Sequence, residues 1–246
     1  QLIITIFMIL FGINFNVYYL LYIRKPKEAF KSEEARAYLG IIVLSIVLIA
    51  INVRHLFPSL YEAFHQAAFQ VASIITTTGY ATCDFDQWPE FSKTILVLLM
   101  LCGACAGSTG GGLKVSRVLI GIKEIRQEMR SLLHPQSVKV IRLEGKGIDP
   151  STLRSANAFF VTYALIFALS LLIVSLDNFD FTTNFTAVAA TFNNIGPGLS
   201  KVGPVCNWSG FSPLSKYVLM FDMLAGRLEL FPLLLLFMPG TWKKSF

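Results

Sequence analysis

Two short stretches of the sequence place glycine and small polar residues directly after apolar, helix-like runs. The first reads TTTGY, and the second reads NNIGP. Glycine reaches backbone conformations that other residues avoid, so successive carbonyl groups of such a loop can point in one direction. A row of carbonyl oxygens can replace the hydration shell of a monovalent cation without a full counter-charge. The sequence therefore predicts cation ligands among ten residues: Thr76, Thr77, Thr78, Gly79, Tyr80, Asn193, Asn194, Ile195, Gly196 and Pro197.

Helices must pack around such loops to bury them. The composition indicates that these helices lie in a lipid bilayer. Of the 246 residues, 54% are hydrophobic and 15% are charged, whereas an ordinary soluble domain carries about a quarter charged residues. Several apolar runs have the length of a membrane-spanning helix. We expect an all-α polytopic membrane protein in which five regions reach across the membrane: Ile3–Ile23, Ala37–Val53, Ile95–Ile122, Ala156–Leu176 and Tyr217–Met238.

The basic residues are segregated along the chain. Most of the 21 Lys and Arg residues fall within residues 24–36, 114–154 and 243–244. By the positive-inside rule these segments share the cytoplasmic side. The net charge of +6 therefore reflects membrane orientation, and no nucleic-acid partner is expected. The basic segment 114–154 is either a docking surface for a regulatory partner or an anchor at lipid headgroups.

A repeat with a shift of 117 residues relates the two candidate loops, because it places Gly79 on Gly196. Each loop follows an apolar helical piece that is too short to span the membrane, Tyr61–Ile75 in the first copy and Thr183–Asn193 in the second. Both ends of each piece should lie on the outer side. A non-helical exit at membrane depth is tolerated only where protein buries it or water contacts it, so these pieces are predicted to be re-entrant pore helices.

The repeat divides the chain into three parts. Residues 1–36 would hold the last helix of a preceding, second pore unit with a cytoplasmic linker. Residues 37–155 would form a third unit with an interrupted inner helix and a cytoplasmic segment, and residues 156–246 a fourth. The chain begins within an apolar run that has no signal-peptide features, and we expect it to be a piece of a longer protein.

The two loops, together with the stretch CAGSTGGGLKVSR after the third inward helix, resemble the Trk/Ktr/HKT potassium transporter family along the whole chain. The resemblance implies repeated helix, re-entrant loop and helix units around a pseudo-fourfold pore, of which this chain is the second half. It further implies K⁺ uptake across the bacterial inner membrane, a homodimer, and a cytosolic TrkA-like ring that binds nucleotides. K⁺ is then the transported ion, and we expect its contacts at Thr77, Thr78, Gly79, Asn194, Ile195 and Gly196.

Five glycines lie within the twelve residues from Gly103 to Lys114. Each glycine in a helix interior costs about 1 kcal/mol relative to alanine, so an unbroken helix is not expected here. The resemblance implies a loop beneath the filter that blocks or clears the pore, whereas tight helix packing through small residues is the alternative. The predicted gate consists of Gly107, Ser108, Thr109, Gly110, Gly111, Gly112 and Arg227.

Arg227 is a charged residue inside the last apolar region. A charge near the centre of the membrane costs roughly 2.5–3.5 kcal/mol on insertion scales and is usually functional. The resemblance places Arg227 in the pore below the filter, as a fixed positive charge beside the gate. The alternative is a structural ion pair with Asp222 or Glu229.

Three other interpretations stay open. The CxxC spacing of Cys102 and Cys105, with Cys83 and Cys206 in outer loops, would suit a membrane thiol oxidoreductase, and the outer pair could instead form a disulfide. Broken helices also occur in secondary transporters of other solutes. The pore-helix repeat favours ion conduction without covalent chemistry, and it leaves open whether flux is coupled to H⁺ or Na⁺.

Overall fold

The computed structural model describes residues 1–134, 140–228 and 230–242, and within them the chain is mostly helical. The first part contains α1 (Leu2–Phe11), α2 (Phe15–Tyr22) and α3 (Pro26–Ala29). The second contains α4 (Glu33–Val53), α5 (Leu60–Ile75), α6 (Glu90–Cys102), α7 (Val115–Leu133), β1 (Arg142–Leu143) and β2 (Lys146–Gly147). The third contains α8 (Pro150–Val174), α9 (Phe181–Phe192), α10 (Pro213–Leu228), α11 (Leu230–Leu236) and α12 (Pro239–Trp242).

Two helices of the described residues are long and apolar enough to cross a membrane without a break. With the short 3₁₀ turns that extend them, they cover Glu33–Leu56 and Pro150–Asp177. The first predicted region, Ile3–Ile23, is not one straight helix, because α1 and α2 meet at an angle of 92°. The side-chain oxygen of Asn14 accepts a hydrogen bond from the amide of Asn16, 2.8 Å away. This N-cap starts a new helix in a new direction.

The third predicted region, Ile95–Ile122, is divided by a loop. Helix α6 ends at Cys102, and α7 begins only at Val115. The high glycine content predicts this interruption. The fifth region is represented by α10 and α11, which lie on either side of Glu229, a residue outside the described ranges.

The two short helices are present where the repeat predicts them, as α5 and α9. The Ser59 side chain caps α5 by accepting a hydrogen bond from the amide of Glu62, at 3.1 Å. The Asp180 carboxylate caps α9 in the same way, at 2.9 Å from the amide nitrogen of Thr183. Such caps satisfy amide groups that a helix start leaves without partners.

Each short helix lies within an apolar core. Around α5 the core includes the fully buried side chains of Tyr38, Ile49, Ile74 and Leu96. Around α9 it includes buried side chains of α8, α9 and α10, namely Val174, Val188, Leu219, Phe159, Phe192 and Ala225. The core around α5 also contains Ile195 and Leu199, which follow α9, so the ends of α5 and α9 lie close together.

The stretches FMILFG, VLLMLCG and MFDMLAG resemble one another and end in equivalent glycines, Gly12, Gly103 and Gly226. The chain continues differently after each of them. After Gly12 the next helix begins at Phe15. At Gly226 helix α10 continues to Leu228. Only after Gly103, whose φ of +71° ends α6, does the chain leave the helix for the whole stretch up to Lys114.

A small hairpin lies between α7 and α8. Its strands pair Arg142 with Gly147 and Leu143 with Lys146. The two turn residues, Glu144 and Gly145, have φ of +54° and +75°, as the tight turns of two-residue hairpins require.

Candidate functional site

The two candidate loops leave their helices by the same backbone path. Thr77 and Asn194 occupy equivalent positions, and their φ values are +56° and +57°. Two residues later, Gly79 and Gly196 also have positive φ, at +79° and +112°. Residues other than glycine rarely adopt a positive φ. The glycines of the repeat are therefore required by the shape of the loops.

The hydrogen bonds that end the two short helices also match. The amide of Thr78 donates to the carbonyl of Ser73 at 2.9 Å, and the amide of Ile195 donates to the carbonyl of Ala190 at 2.8 Å. Each bond runs from an amide to the carbonyl five residues earlier, as in the Schellman motif that commonly ends helices. The shift of 117 residues therefore relates equivalent hydrogen bonds as well as equivalent residues.

The first residue of each loop turns its side chain back onto its own helix. Thr76 donates from Oγ1 to the carbonyl of Ala72 at 2.6 Å, and Asn193 donates from Nδ2 to the carbonyl of Ala189 at 2.8 Å. Asn193 also contacts the Tyr163 hydroxyl through both side-chain atoms, at 3.0 and 3.1 Å. These two side chains therefore brace the loops, although one is a hydroxyl and the other an amide.

The two loops meet at Gly79. A Cβ atom added there would overlap the carbonyl oxygen of Ile195 and would lie 3.4 Å from the ring of Pro197. The carbonyl of Tyr80 accepts a hydrogen bond from Ser73 Oγ at 2.6 Å, while the Tyr80 side chain is 60% exposed. The structure thus brings both predicted loops to one place, with main-chain oxygens of one against the glycine of the other.

A second set of contacts joins these loops to the segment Gly103–Lys114, which we call the intramembrane loop. The amide of Gly111 donates to Thr77 Oγ1 at 2.8 Å. A Cβ added at Gly111 would lie 2.5 Å from the carbonyl oxygen of Asn193, and one added at Gly110 would lie 3.3 Å from that of Thr76. The intramembrane loop therefore packs directly against the ends of both short helices, and it does so through residues without side chains.

Arg227 contacts the intramembrane loop from α10. Its Nη1 donates to the carbonyl of Thr109 at 3.0 Å. The proposed ion pair with Asp222 is wrong: Asp222 is fully buried and accepts from Ser170 Oγ at 2.7 Å. Five positions on a helix turn a side chain by about 140°, so the two residues face different neighbours. Glu229, the other proposed partner, lies outside the described residues.

A cavity of about 400 Å³ lies beside these contacts. Its lining includes the intramembrane loop from Gly107 to Gly112, the loop residue Asn193 and the side chain of Arg227. A water molecule occupies about 30 Å³ in the liquid. The cavity therefore has room for several water molecules on the side of the intramembrane loop where Arg227 lies.

Sequence reasoning missed Glu34, which lies at the start of α4 and is only 5% exposed. Its Oε1 accepts from the amides of Ala106 at 2.6 Å and Ser116 at 3.1 Å. Its Oε2 accepts from Asn14 Nδ2 at 3.4 Å. In the sequence, Glu34 has the features of an ordinary acidic residue in a first helical turn, because both amide partners are more than 70 positions away.

All four cysteines are free thiols, so the outer pair, Cys83 and Cys206, forms no disulfide. Cys105 is completely buried, and its amide donates to the carbonyl of Gly12 at 3.0 Å. Because its side chain is closed off by packing, this position in the CxxC motif fits small-residue packing better than thiol exchange.

Comparisons with known proteins agree with this geometry. A family model described as TrkH, cation transport protein, matches residues 41–244. The chain is 36% identical over 98% of its length to the Trk system potassium uptake protein TrkH of Salmonella typhimurium, of which it covers 50%. It is 31% identical over 96% of its length to the Trk system potassium uptake protein TrkG of Escherichia coli K12, of which it covers 49%.

A solved structure shares the fold. The crystal structure of the potassium transporter TrkH from Vibrio parahaemolyticus superimposes with a TM-score of 0.90 at 37% sequence identity. The match covers 98% of this chain and 52% of that one, and the chain spans about half the length of the curated relatives it matches. Because the family model covers most of its residues, the chain belongs to the TrkH family of cation transport proteins.

Proposed function

We propose that this chain forms half of a pore through which K⁺ is taken up across the bacterial inner membrane. The observation that carries the proposal is the meeting of two equivalent loops at Gly79 and the Ile195 carbonyl. The relatives named above are potassium uptake proteins. Two loops with the same backbone path can present their carbonyl oxygens to one ion, as a selectivity filter requires.

In this proposal the ion contacts are main-chain oxygens of Thr77, Thr78 and Gly79 in one loop and of Asn194, Ile195 and Gly196 in the other. The C-terminal ends of α5 and α9 point their partial negative charge toward the same place. A ring of four loops would surround the ion, and we assign the two remaining loops to the other half of the full-length protein.

The intramembrane loop is the proposed gate of this pore. Its contact with Thr77 and its contact with Arg227 both have to break before it can leave the ends of the short helices. One hydrogen bond contributes about 0.5–1.5 kcal/mol net, and one to a charged group about 1.5–3 kcal/mol. A regulatory event worth a few kcal/mol is therefore sufficient to move the loop.

The partners that we propose follow from the family. They are a second copy of the chain, a cytosolic ring that binds nucleotides, and the surrounding lipid. The printed names of the relatives describe a Trk system, which supports a membrane component working with other subunits. The basic helix α7 and the hairpin after it are the cytoplasmic surface that we assign to the ring.

The test is growth at low K⁺ of a strain that lacks its own uptake systems. The full-length parent protein should restore growth, and Gly79→Asp should abolish the rescue because its side chain would overlap the facing loop. Gly210→Asp is the matched control, since Gly210 is exposed in an outer loop, and it should rescue like the parent. Equal rescue by Gly79→Asp and Gly210→Asp would contradict the proposal that these loops form a selectivity filter, and it would favour a transporter of another solute.

A further inference from the structure

Residues at the start of α4 connect the cytoplasmic hairpin to the membrane part of the chain. The carboxylate of Glu144, in the hairpin turn, accepts a hydrogen bond from Ser32 Oγ at 2.9 Å. The same oxygen, Oε1, accepts from the backbone amide of Glu34 at 3.2 Å. A negative charge at this place also suits the partial positive charge of a helix N-terminus. The hairpin turn thus caps helix α4.

The intervening residue forms a second connection to the same hairpin. Glu33 pairs with the ammonium group of Lys123 on α7. Lys123 also donates to the carbonyl of Arg142 in β1, at 2.7 Å. Hairpin, α7 and the first turn of α4 are therefore held together by two sets of polar contacts on one side of the molecule.

The Glu34 side chain points the other way, to the intramembrane loop. Its Oε1 accepts from the amides of Ala106 and Ser116, which lie near the beginning of the loop and just after its end. Its Oε2 contacts Asn14 in the break between α1 and α2. With only 5% of its surface exposed, this carboxylate depends on these donors, because a buried charge without partners is strongly unfavourable.

Both ends of the intramembrane loop are thus fixed to one carboxylate, whose own backbone amide is held by the hairpin turn. Hydrogen bonds to an ionised acceptor are the stronger kind in proteins. A shift of the hairpin that moves the first turn of α4 must move Glu34 or break these bonds. In either case the spacing of the two loop ends changes.

We propose that Glu34 is the positioning residue of the intramembrane loop, and that the hairpin turn acts on the loop through it by way of Glu144. The proposal rests on the function proposed above. A movement of the cytoplasmic hairpin would reach α4 through the contact between Glu144 and the start of that helix. It would reach the intramembrane loop through the hydrogen bonds from the amides of Ala106 and Ser116 to Glu34. A cytosolic partner that binds the hairpin would then change the gate without touching the pore.

The first test compares Glu34→Ala, Glu34→Gln and the control Glu28→Ala in the full-length parent, with K⁺ flux into proteoliposomes as the readout. Glu28 is exposed, and among the described residues its side chain pairs with Lys25 one turn away, so its replacement should leave flux unchanged. Glu34→Ala should raise basal flux on the order of tenfold, a usual size for coupling between sites. Glu34→Gln keeps an oxygen for the two amides and should fall between the parent and Glu34→Ala.

The second test is a double-mutant cycle with Glu144→Ala. If the hairpin acts through Glu34, Glu144→Ala should change flux in the parent, have a smaller effect in the Glu34→Gln background and have no further effect in the Glu34→Ala background. Multiplicative effects in both backgrounds would overturn the proposal. Size-exclusion profiles and thermal midpoints identify folded variants, and Glu34→Gln with Glu144→Ala completes the cycle if Glu34→Ala does not fold.

The outcomes separate the two proposals. A full-length parent that conducts no K⁺ would overturn the proposed function. A parent that conducts, with Glu34 variants that match Glu28→Ala, would overturn the role of Glu34 and leave the filter untouched.

Discussion

Arg227 Nη1 and the carbonyl oxygen of Thr109 lie 3.0 Å apart, and this contact ties α10 to the intramembrane loop. The two residues are 118 positions apart in the chain. In the repeat predicted from the sequence, Thr109 belongs to the third pore unit and Arg227 to the fourth, so the proposed gate would be held across the boundary between these units.

Replacing Arg227 should release this contact and remove a positive charge beside the cavity. We expect Arg227→Ala to raise K⁺ flux of the full-length protein in proteoliposomes by at least about tenfold, since a hydrogen bond from a charged donor contributes about 1.5–3 kcal/mol. Arg227→Lys keeps the charge and loses the planar donor group, so it should give a smaller rise. Loss of folded protein in both variants would instead indicate a structural role.

Thr77 should control the other contact of the loop. Thr77→Val removes the oxygen that accepts a hydrogen bond from the Gly111 amide and keeps the branched shape of the side chain. The closed position of the loop should therefore be destabilised by roughly 0.5–1.5 kcal/mol, which is a two- to tenfold change in the equilibrium between closed and open loop. Thr77→Ser keeps the oxygen and is the control. Single-channel or flux recordings check the result, and identical open fractions for the two variants would contradict it.

The glycine at position 111 allows the close approach to Asn193. A methyl group there would lie 2.5 Å from the carbonyl oxygen of that residue, so Gly111→Ala should push the loop away and raise basal flux. Gly40→Ala is the matched control, because nothing lies within 4 Å of a Cβ at that position on α4. Unaltered flux in Gly111→Ala would support packing as the only role of these glycines.

Asp180 should make the outer end of α9 sensitive to acid. Hydrogen bonds from the Thr183 side chain, which outweigh partial burial, lower the pKa of this carboxyl group below 3.8. A lowered pKa stabilises the folded protein above the ordinary value, and this stability is lost as the pH falls through the lowered pKa. The thermal midpoint of the wild type should exceed that of Asp180→Ala at about pH 6, and the difference should shrink as the pH falls below the ordinary carboxyl pKa. A constant difference would contradict the prediction.

The short helices and their loops could be predicted because local sequence determines them. The apolar run of each short helix and the loop after it are adjacent in the sequence, and the repeat matches Gly79 with Gly196. The same local information predicted that α6 would stop before the glycine-rich stretch.

The contacts of Glu34 could not be predicted, because Ala106 and Ser116 reach it only when α6 and α7 pack on α4. The bend between α1 and α2 depends in the same way on tertiary packing. A Cβ at Gly12 would overlap the Tyr38 side chain, a contact with a residue of another helix. The ion pair between Asp222 and Arg227 was a different kind of error, since helix geometry alone separates their directions.

Of the three equivalent glycines, only Gly103 is followed by a long excursion from the helix. In this half of the proposed pore, a single segment among the described residues would therefore obstruct the path. Its release should be one step rather than several, because the part that we propose to move is present in one copy.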